Sequence, residues 1–206
     1  MLKKVLMILF VLVGLSMITV AYAKEAYVVE KTTVYNTSKK KVGTYSVGTK
    51  VNVVAKKGNW CLLKNGKVVS AKHISTNPIK YYASKYGDIV FVSIKRQKVV
   101  YYKNGKIVAK GKCVTGHAGK TPTPKGLFTI IDKVPNTDLM GGAHVDYFCK
   151  FTSGGIGLHD ADRWRTHYGG KIYKTKGSHG CVNLPLSVAK AIYINSTEGK
   201  TKVLVF

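Results

Sequence analysis

The stretch from Gly177 to Asn183, Gly-Ser-His-Gly-Cys-Val-Asn, constrains this chain more than any other. It places the thiol of Cys181 directly after a glycine, in a run of residues that favours a tight turn. A free cysteine has a pKa of about 8.5 and is mostly protonated at neutral pH, so a cysteine nucleophile needs a base nearby. His159 is the natural candidate, because an imidazole can accept the thiol proton and later return it. The sequence therefore predicts a turn that carries Cys181 and lies against His159.

Other side chains around this turn are candidate supports for the chemistry. Gly180 has no Cβ, so the backbone can approach whatever lies over the sulfur. Ser178 and Asn183 can hydrogen-bond neighbouring backbone groups and hold the turn in shape. His179 is more typical of a structural donor than of a second base, and Asp160 can fix the tautomer of the preceding histidine. The alternative is a buried structural cysteine in a Gly-rich turn, but the clustering of Ser, His, Gly, Cys and Asn favours a catalytic site with backbone N–H groups as oxyanion donors.

The same stretch, with the runs 162–165 (Asp-Arg-Trp-Arg) and 168–170 (Tyr-Gly-Gly), resembles the signature of the L,D-transpeptidase (YkuD-type) family. That signature is a histidine, a spacer, Ser or Thr followed by His-Gly-Cys, then an apolar residue and Asn. Here the histidine is His159 and the spacer covers residues 160–177. The resemblance covers residues 87–206 and implies a mainly β catalytic domain with one or two short helices.

The resemblance implies a peptidoglycan cross-linking enzyme that uses no cofactor and no metal. Cys181 is then the nucleophile that attacks the carbonyl of an L-residue joined to a D-residue in a tetrapeptide stem, and D-alanine leaves. His159 protonates the departing amine and then deprotonates the amine of a neighbouring stem. The expected products are three-to-three cross-links, and carbapenem-type β-lactams are expected to acylate Cys181. In this family the backbone carbonyl after the histidine more often orients the imidazole than a carboxylate does.

Three residues are further candidates for substrate binding: Tyr147, Asn183 and Arg165. Tyr147 lies near the end of residues 133–155, a segment without steady periodicity that corresponds to the family's substrate-capping flap. Its ring can stack on substrate or pack onto the sheet. Arg165 can pair with a carboxylate of the stem or with Asp162, and the structural pair is favoured.

Three alternatives stay open from the residues alone. A papain-like cysteine peptidase that trims peptidoglycan uses the same residue types, but it places Cys before His, the reverse of the order here. A zinc site made from His159, His179 and Cys181 with His144 or Cys149 does not match the common ligand spacings. A non-catalytic wall-binding protein fits the charge of the chain, but the intact nucleophile motif argues against it.

Residues 1–23 have the pattern of a secretory signal peptide, with a basic start, an apolar run and an Ala-Tyr-Ala cleavage site. The apolar run is long, so a retained membrane anchor is the alternative. Either way the body of the protein is expected outside the cytoplasmic membrane, secreted or in the cell wall. The 34 basic and 9 acidic residues give a net charge of +25. In an exported protein this charge favours anionic wall polymers or lipid headgroups over nucleic acid as partners, and a purely solubilising charge explains it equally well.

Residues 24–77 predict a small all-β module, with short strand-like runs between turn-forming residues. Trp60 follows a Gly-Asn turn and precedes a hairpin, a pattern that resembles a bacterial SH3-like barrel. Such modules often hold cell-wall enzymes against peptidoglycan, and Trp60 serves either there or in the core. The sequence Lys-Asn-Gly-Lys occurs at 64–67 and again at 103–106, and it predicts a two-residue type I′ hairpin at both places.

Residues 78–86 are polar and rich in tyrosine, and they predict a linker to the catalytic domain at 87–206. The export signal permits disulfide bonds among the four cysteines. A nucleophilic Cys181 must stay free, so at most one bridge is expected, and Cys113–Cys149 is the one pair inside the catalytic domain. The overall prediction is a mainly β protein of two domains.

Overall fold

The computed structural model describes residues 23–206, so the predicted signal peptide lies outside the described residues except for its last position. The first part of the chain contains β1 (Lys24–Val28), β2 (Thr32–Tyr35), β3 (Lys41–Tyr45), β4 (Lys50–Lys57), β5 (Trp60–Leu63), β6 (Val68–Ser70), β7 (Ile74–Ser75) and α1 (Pro78–Tyr86). The second part contains β8 (Asp88–Ser93), β9 (Lys98–Lys103), β10 (Lys106–Lys112), β11 (Gly126–Thr129), β12 (Asp132–Asp138), β13 (His144–Lys150), β14 (Gly157–Asp160), β15 (Val182–Leu184), α2 (Leu186–Asn195) and β16 (Lys202–Val205). The prediction of a mainly β fold with short helices is confirmed.

Strands β1 to β7 form one antiparallel sheet in the order β3-β2-β6-β5-β4-β1-β7. Because side chains alternate along a strand, one face of this sheet collects the apolar residues of a small core. The core residues are Ala26, Val28, Val34, Val51, Cys61, Leu63 and Val69. Within residues 23–206, the edge strands β3 and β7 do not pair with each other, so hydrogen bonds do not close the sheet into a barrel. The SH3-like assignment stays a prediction.

The two Lys-Asn-Gly-Lys turns differ although their sequences are identical. In the turn at 103–106 both central residues have positive φ, 52° and 75°, which makes the predicted type I′ hairpin. In the turn at 64–67 only Gly66 has a positive φ. The side chain of Asn65 there accepts a hydrogen bond from the N–H of Lys67 at 3.2 Å. The type I′ prediction is wrong at this turn, because the asparagine side chain closes an Asx-type loop instead.

Residues 78–86 form helix α1, although their sequence predicts a linker. Asn77 caps the helix by accepting a backbone N–H at 3.0 Å, and Gly87 ends it in the left-handed conformation, with φ of 68°. Tyr82 is buried, and its hydroxyl donates to the backbone carbonyl of Val29. The tyrosines therefore give the helix an apolar side, which packs against residues of both the first sheet and the second part of the chain. The shared core consists of Val29, Tyr82, Ile89, Phe91 and Leu204.

The second part of the chain contains two further sheets, with orders β10-β9-β8-β16-β11 and β12-β13-β14-β15. Two strand pairs are parallel, β8 with β16 and β14 with β15. Helix α2 follows β15 directly and contributes Val188, Ala189 and Ile192 to the core of this part. The parallel pair β14–β15 matters for function, because it carries the predicted histidine and the residues that follow the predicted nucleophile.

The segment at 133–155 is a β-hairpin for most of its length, where the sequence predicts an irregular flap. Strands β12 and β13 are seven residues long and pair at six positions, and β13 continues the pairing onto β14. β12 is an edge strand with mostly half-buried or exposed side chains, which tolerates Pro135 and hides the periodicity. At the tip of the hairpin, Met140 is 98% exposed.

None of the helices within residues 23–206 has the length and apolar composition needed to span a membrane.

Candidate active site

Two neighbouring parallel strands bring the predicted base and the predicted nucleophile to one face of a sheet. His159 lies in β14, and its register partner in β15 is Asn183. Cys181 precedes β15 by one residue and Asn183 by two, and side chains two residues apart along a strand share a face. The Cys181 Sγ lies 3.8 Å from the backbone oxygen of Gly155, two residues before β14 begins. The fold therefore places the Cys181 thiol beside the strand that carries the imidazole.

The imidazole of His159 is fixed in one tautomer. The ring is 2% exposed, and its Nδ1 lies 2.7 Å from the backbone oxygen of Asp160. A carbonyl oxygen only accepts, so Nδ1 carries the proton and Nε2 keeps the lone pair that can take a proton from a thiol. The rings of Phe148 and Trp164 each lie 6.1 Å from the imidazole and limit its rotation.

The pKa of His159 lies below its ordinary value, chiefly because burial disfavours the imidazolium. The hydrogen bond to the Asp160 carbonyl and the Asp160 charge oppose this effect, whereas the nearby Arg165 guanidinium adds to it. The imidazole is therefore neutral at physiological pH. A neutral imidazole acts as a general base.

Cys181 is partly exposed, and its Sγ lies 3.8 Å from the carbonyl oxygen of Gly155, a long contact for a thiol donor. Burial of the sulfur raises the pKa of this thiol, and the hydrogen bond from the backbone of Gly157 lowers it in part. The resting group is therefore a thiol rather than a thiolate. Such a cysteine reacts as a nucleophile only when a base removes its proton as it attacks.

The turn before Cys181 is closed by its own serine. Ser178 Oγ donates to the carbonyl of Cys181 and accepts the N–H of Gly180 at 3.1 Å. Within the described residues this leaves the N–H groups of His179 and Cys181 without an acceptor, so these two are the candidate oxyanion donors. Gly180 has φ of 126°, and a Cβ there would lie 3.0 Å from the side chain of Ile156. The positive φ favours glycine at this position, and a Cβ there would also crowd the Ile156 side chain.

Two threonines that the sequence does not indicate as site residues hold this turn from the other side. Thr123 is 3% exposed, and its Oγ1 accepts the N–H of Gly116 at 2.8 Å and donates to the carbonyl of Gly180 at 2.7 Å. Thr121 Oγ1 donates to the carbonyl of Ser178 at 2.8 Å. The sequence feature that indicates their role is the alternation of the two threonines with two prolines at 121–124. Proline fixes φ, so the run is rigid and presents both hydroxyls to the turn.

Asp160 supports the site in a different way from the one first expected. Its carboxylate accepts the N–H groups of Asp146 and Tyr147, the latter at 2.8 Å, and does not contact the imidazole. These two N–H groups lie where the pairing of β13 with β14 ends. The expectation that the carboxylate fixes the histidine tautomer is wrong, because the backbone carbonyl of Asp160 does so.

Tyr147 does not share a face with the candidate base. Phe148 is the register partner of His159, so Tyr147 points to the opposite face of the sheet. There its ring packs 5.3 Å from Tyr193 of α2. The prediction of substrate contact by Tyr147 is corrected in favour of packing, and Phe148 with the half-exposed Trp164 are the aromatic groups at the site.

Arg165 and Asn183 do not make the contacts that the sequence predicts for them. Arg165 does not pair with Asp162; its Nη2 donates to the backbone of Lys176 at 2.9 Å, and its buried Nε has no partner in the described residues. Asp162 accepts instead from the hydroxyl of Tyr168 at 2.7 Å. Asn183 is buried, but its Oδ1 bonds no backbone group. Both side chains therefore keep hydrogen-bonding capacity near the site.

The structure does not bring together the residues proposed as zinc ligands, which are His159, His179 and Cys181 with His144 or Cys149. His179 is exposed to solvent, and Cys149 is buried beside Ser196. No group of three or more His, Cys, Asp or Glu side chains within residues 23–206 is arranged to hold a metal ion. All four cysteines are free, so the Cys113–Cys149 bridge is not formed. Burial raises the pKa of Cys113 to about 12 and that of Cys149 to about 11, which leaves both inert.

Comparison with known proteins gives one family. The family model of the YkuD L,D-transpeptidase catalytic domain matches residues 87–205. The NMR structure of the catalytic domain of the E. faecium L,D-transpeptidase is 36% identical, with a TM-score of 0.52, and the match covers 59% of this chain and 98% of that one. No curated protein matches the chain.

Two longer structures are also similar. The crystal structure of a Cys-to-Ser mutant of the Enterococcus faecium L,D-transpeptidase is 26% identical, with a TM-score of 0.55, and the match covers 87% of this chain and 76% of that one. The Ldtfm–avibactam carbamoyl enzyme gives the same identity and TM-score, with 87% and 75% covered. The family match spans more than half of the chain and includes both strands of the site. This chain belongs to the YkuD family of L,D-transpeptidases and is an L,D-transpeptidase enzyme.

Proposed function

We propose that the protein transfers acyl groups between peptidoglycan stems, with Cys181 as the nucleophile and His159 as the general base. The observation that supports this proposal is the register of the parallel pair β14–β15, by which Cys181 and His159 share one face of the sheet. The Nδ1 proton is held by the Asp160 carbonyl, so the Nε2 lone pair of the neutral imidazole is available for the thiol proton. The membership of the enzyme in the L,D-transpeptidase family supports the substrate class.

In the first half-reaction, His159 Nε2 takes the proton of the Cys181 thiol as the sulfur attacks the carbonyl carbon of the L-residue. The C–S bond forms and the carbonyl oxygen becomes an oxyanion, which the N–H groups of His179 and Cys181 stabilise. Loss of one such donor costs roughly 3 kcal/mol in other enzymes. The oxyanion then collapses, the C–N bond breaks, and D-alanine leaves with the proton from His159. The product is a thioester on Cys181.

In the second half-reaction, an amine of a neighbouring stem attacks the thioester carbon. His159 removes a proton from that amine, the new C–N bond forms, and the C–S bond breaks to restore the thiol after proton return. A thioester suits this step, because amines attack it readily while water competes poorly. Cross-linking is therefore the expected outcome, rather than the trimming that a peptidase performs.

The same thiol is the site at which we expect β-lactams to react. The related enzyme whose structure is described as an avibactam carbamoyl enzyme carries a covalent inhibitor. A carbapenem presents a strained carbonyl to the same nucleophile and the same oxyanion donors. Acylation of Cys181 by a carbapenem is thus part of the proposal, and so is a location outside the cytoplasmic membrane, where peptidoglycan is cross-linked.

Turnover of a disaccharide-tetrapeptide tests this function. The mature chain, residues 24–206, should release D-alanine and form a cross-linked dimer with the mass of two stems less one D-alanine. Cys181→Ala should abolish both products, whereas the control variant Cys61→Ala, which alters a thiol of the first sheet, should keep them. Hydrolysed tripeptide without any dimer would overturn the transferase assignment and support the peptidase alternative.

A further inference from the structure

The first sheet has a second face, opposite its core, on which two aromatic rings meet. Tyr35 in β2 pairs with Val68 in β6, and Trp60 in β5 pairs with Ser70 in the same strand. Directly paired antiparallel residues point to the same face, so both rings lie on one side of the sheet with β6 between them. Their centroids are 5.6 Å apart and the ring planes meet at 88°. The two rings form a corner on the sheet surface.

This corner is open to solvent. Trp60 is 46% exposed, although tryptophan is usually more buried. Val42, beside the bulge where β3 meets β2, is 47% exposed. Val68 in β6 pairs with Tyr35 on one side and with Leu62, in the strand of Trp60, on the other, and these two apolar side chains give the corner an apolar floor. Trp60 is therefore not a core residue, and its ring is free to contact a ligand.

A lysine lies on each side of the aromatic pair. Lys41 in β3 is the register partner of Tyr35, and Lys57 in β4 is the register partner of Trp60. Both lysines are exposed, and neither has a carboxylate within ion-pair distance among residues 23–206. The order across this face is therefore lysine, tyrosine, apolar floor, tryptophan, lysine.

The charge around this face is not neutralised by the module itself. Residues 24–77 contain eleven lysines and two glutamates. Both glutamates are already paired, Glu25 with Lys50 and Glu30 with Lys85. The free ammonium groups thus give the face a positive potential that attracts a polyanion.

We propose that this face, defined by Lys41, Tyr35, Trp60 and Lys57, binds an anionic wall glycan, a polymer in which acidic groups alternate with sugar rings. The C–H-rich face of a sugar ring packs on an exposed aromatic ring, and the acidic groups on either side pair with the lysines. Lipid headgroups would satisfy the lysines but would leave the aromatic corner without a matching partner. The proposal goes beyond acyl transfer, because the face belongs to the first sheet and holds none of the candidate catalytic residues.

The dimensions of the face favour a polymer over a single sugar. The lysines stand on β3 and β4, which are separated by β2, β6 and β5 in the sheet. Four strand spacings of about 4.8 Å put them about 19 Å apart. One sugar ring fills only the corner, so an extended chain is needed to reach both ammonium groups.

Co-sedimentation with purified, insoluble cell walls tests the proposal. One wall sample keeps its covalently attached anionic polymers, and the other has lost them by mild acid extraction. Residues 24–206 should sediment with the first sample, and the apparent binding constant should fall by about tenfold, or 1.4 kcal/mol of binding free energy, with the extracted walls. Trp60→Ala, and the pair Lys41→Gln with Lys57→Gln, should each cause a loss of similar size on the intact walls.

The control pair Lys190→Gln with Lys200→Gln removes the same charge from exposed positions of the catalytic part and should leave binding unchanged. Turnover of soluble disaccharide-tetrapeptide by every variant shows that each is folded, and it separates this proposal from the catalytic one. Equal binding to both wall samples, or an equal loss from the control pair, would overturn the proposal. So would Trp60-dependent binding to phosphatidylglycerol vesicles instead of walls, which would identify a membrane surface.

Discussion

Replacing Thr123 by valine removes the hydroxyl that links the active-site turn to the rigid 121–124 run, while it nearly keeps the shape of the side chain. Thr123 Oγ1 accepts the N–H of Gly116 at 2.8 Å and donates to the carbonyl of Gly180 at 2.7 Å. A buried polar group left without its partner costs about 1–3 kcal/mol. With two such groups and partial relaxation, the unfolding free energy should fall by about 2–4 kcal/mol.

The same change should also slow the chemistry, because Gly180 immediately precedes Cys181. Denaturant unfolding gives the stability, and the rate of acylation by a carbapenem gives the reactivity. We expect acylation of Thr123→Val to slow by about tenfold, equivalent to 1.4 kcal/mol. The control Thr123→Ser keeps the hydroxyl and loses only a methyl group, at about 1 kcal/mol of stability, and should acylate at nearly the wild-type rate. A valine variant with wild-type stability and wild-type acylation would refute the reasoning.

Further predictions concern the base and its support. His159→Gln should slow carbapenem acylation about 10²–10⁴-fold by stopped-flow fluorescence, since it removes the general base; a rate within twofold of wild type would contradict that role. Because burial lowers the pKa of His159, the acid limb of the acylation rate should have its midpoint below the ordinary histidine value of about 6.5. The folded state then binds fewer protons than the unfolded one, so the stabilisation present above about pH 6.5 should be lost as pH falls toward the folded pKa, measurable by unfolding at two pH values. Asp160→Ala leaves two N–H groups of β13 without their acceptor and should cost about 1–3 kcal/mol in thermal unfolding, with Asp160→Asn closer to wild type.

The sequence is sufficient to predict the turn that carries Cys181, its place against the strand of His159 and the mainly β class. These depend on short-range features, a Gly-rich nucleophile motif and runs of strand-forming residues. The features that the sequence does not reveal depend on tertiary contacts. The sequence of helix α1 resembles a polar linker because its apolar side is made of tyrosines. Only the buried contact of Tyr82 with Val29 shows that the helix packs into a core shared with the first sheet.

The same limit explains the errors at the site itself. Asp160 is adjacent to His159 in sequence, but its carboxylate points to β13, and only the strand register shows this. Tyr147 and Phe148 are neighbours with similar side chains, and the register alone decides which of them faces the histidine. The identical Lys-Asn-Gly-Lys turns adopt different geometries because only one of them has a side-chain Asx bond.

Intact mass spectrometry after exposure to a carbapenem tests the central claim most directly. A protein of residues 24–206 should gain the mass of one carbapenem, and peptide mapping should place it on Cys181. Cys181→Ala should gain nothing, and the control Cys61→Ala should acylate like wild type. An adduct that persists in Cys181→Ala, or one that maps to another cysteine, would contradict the assignment of Cys181 as the nucleophile.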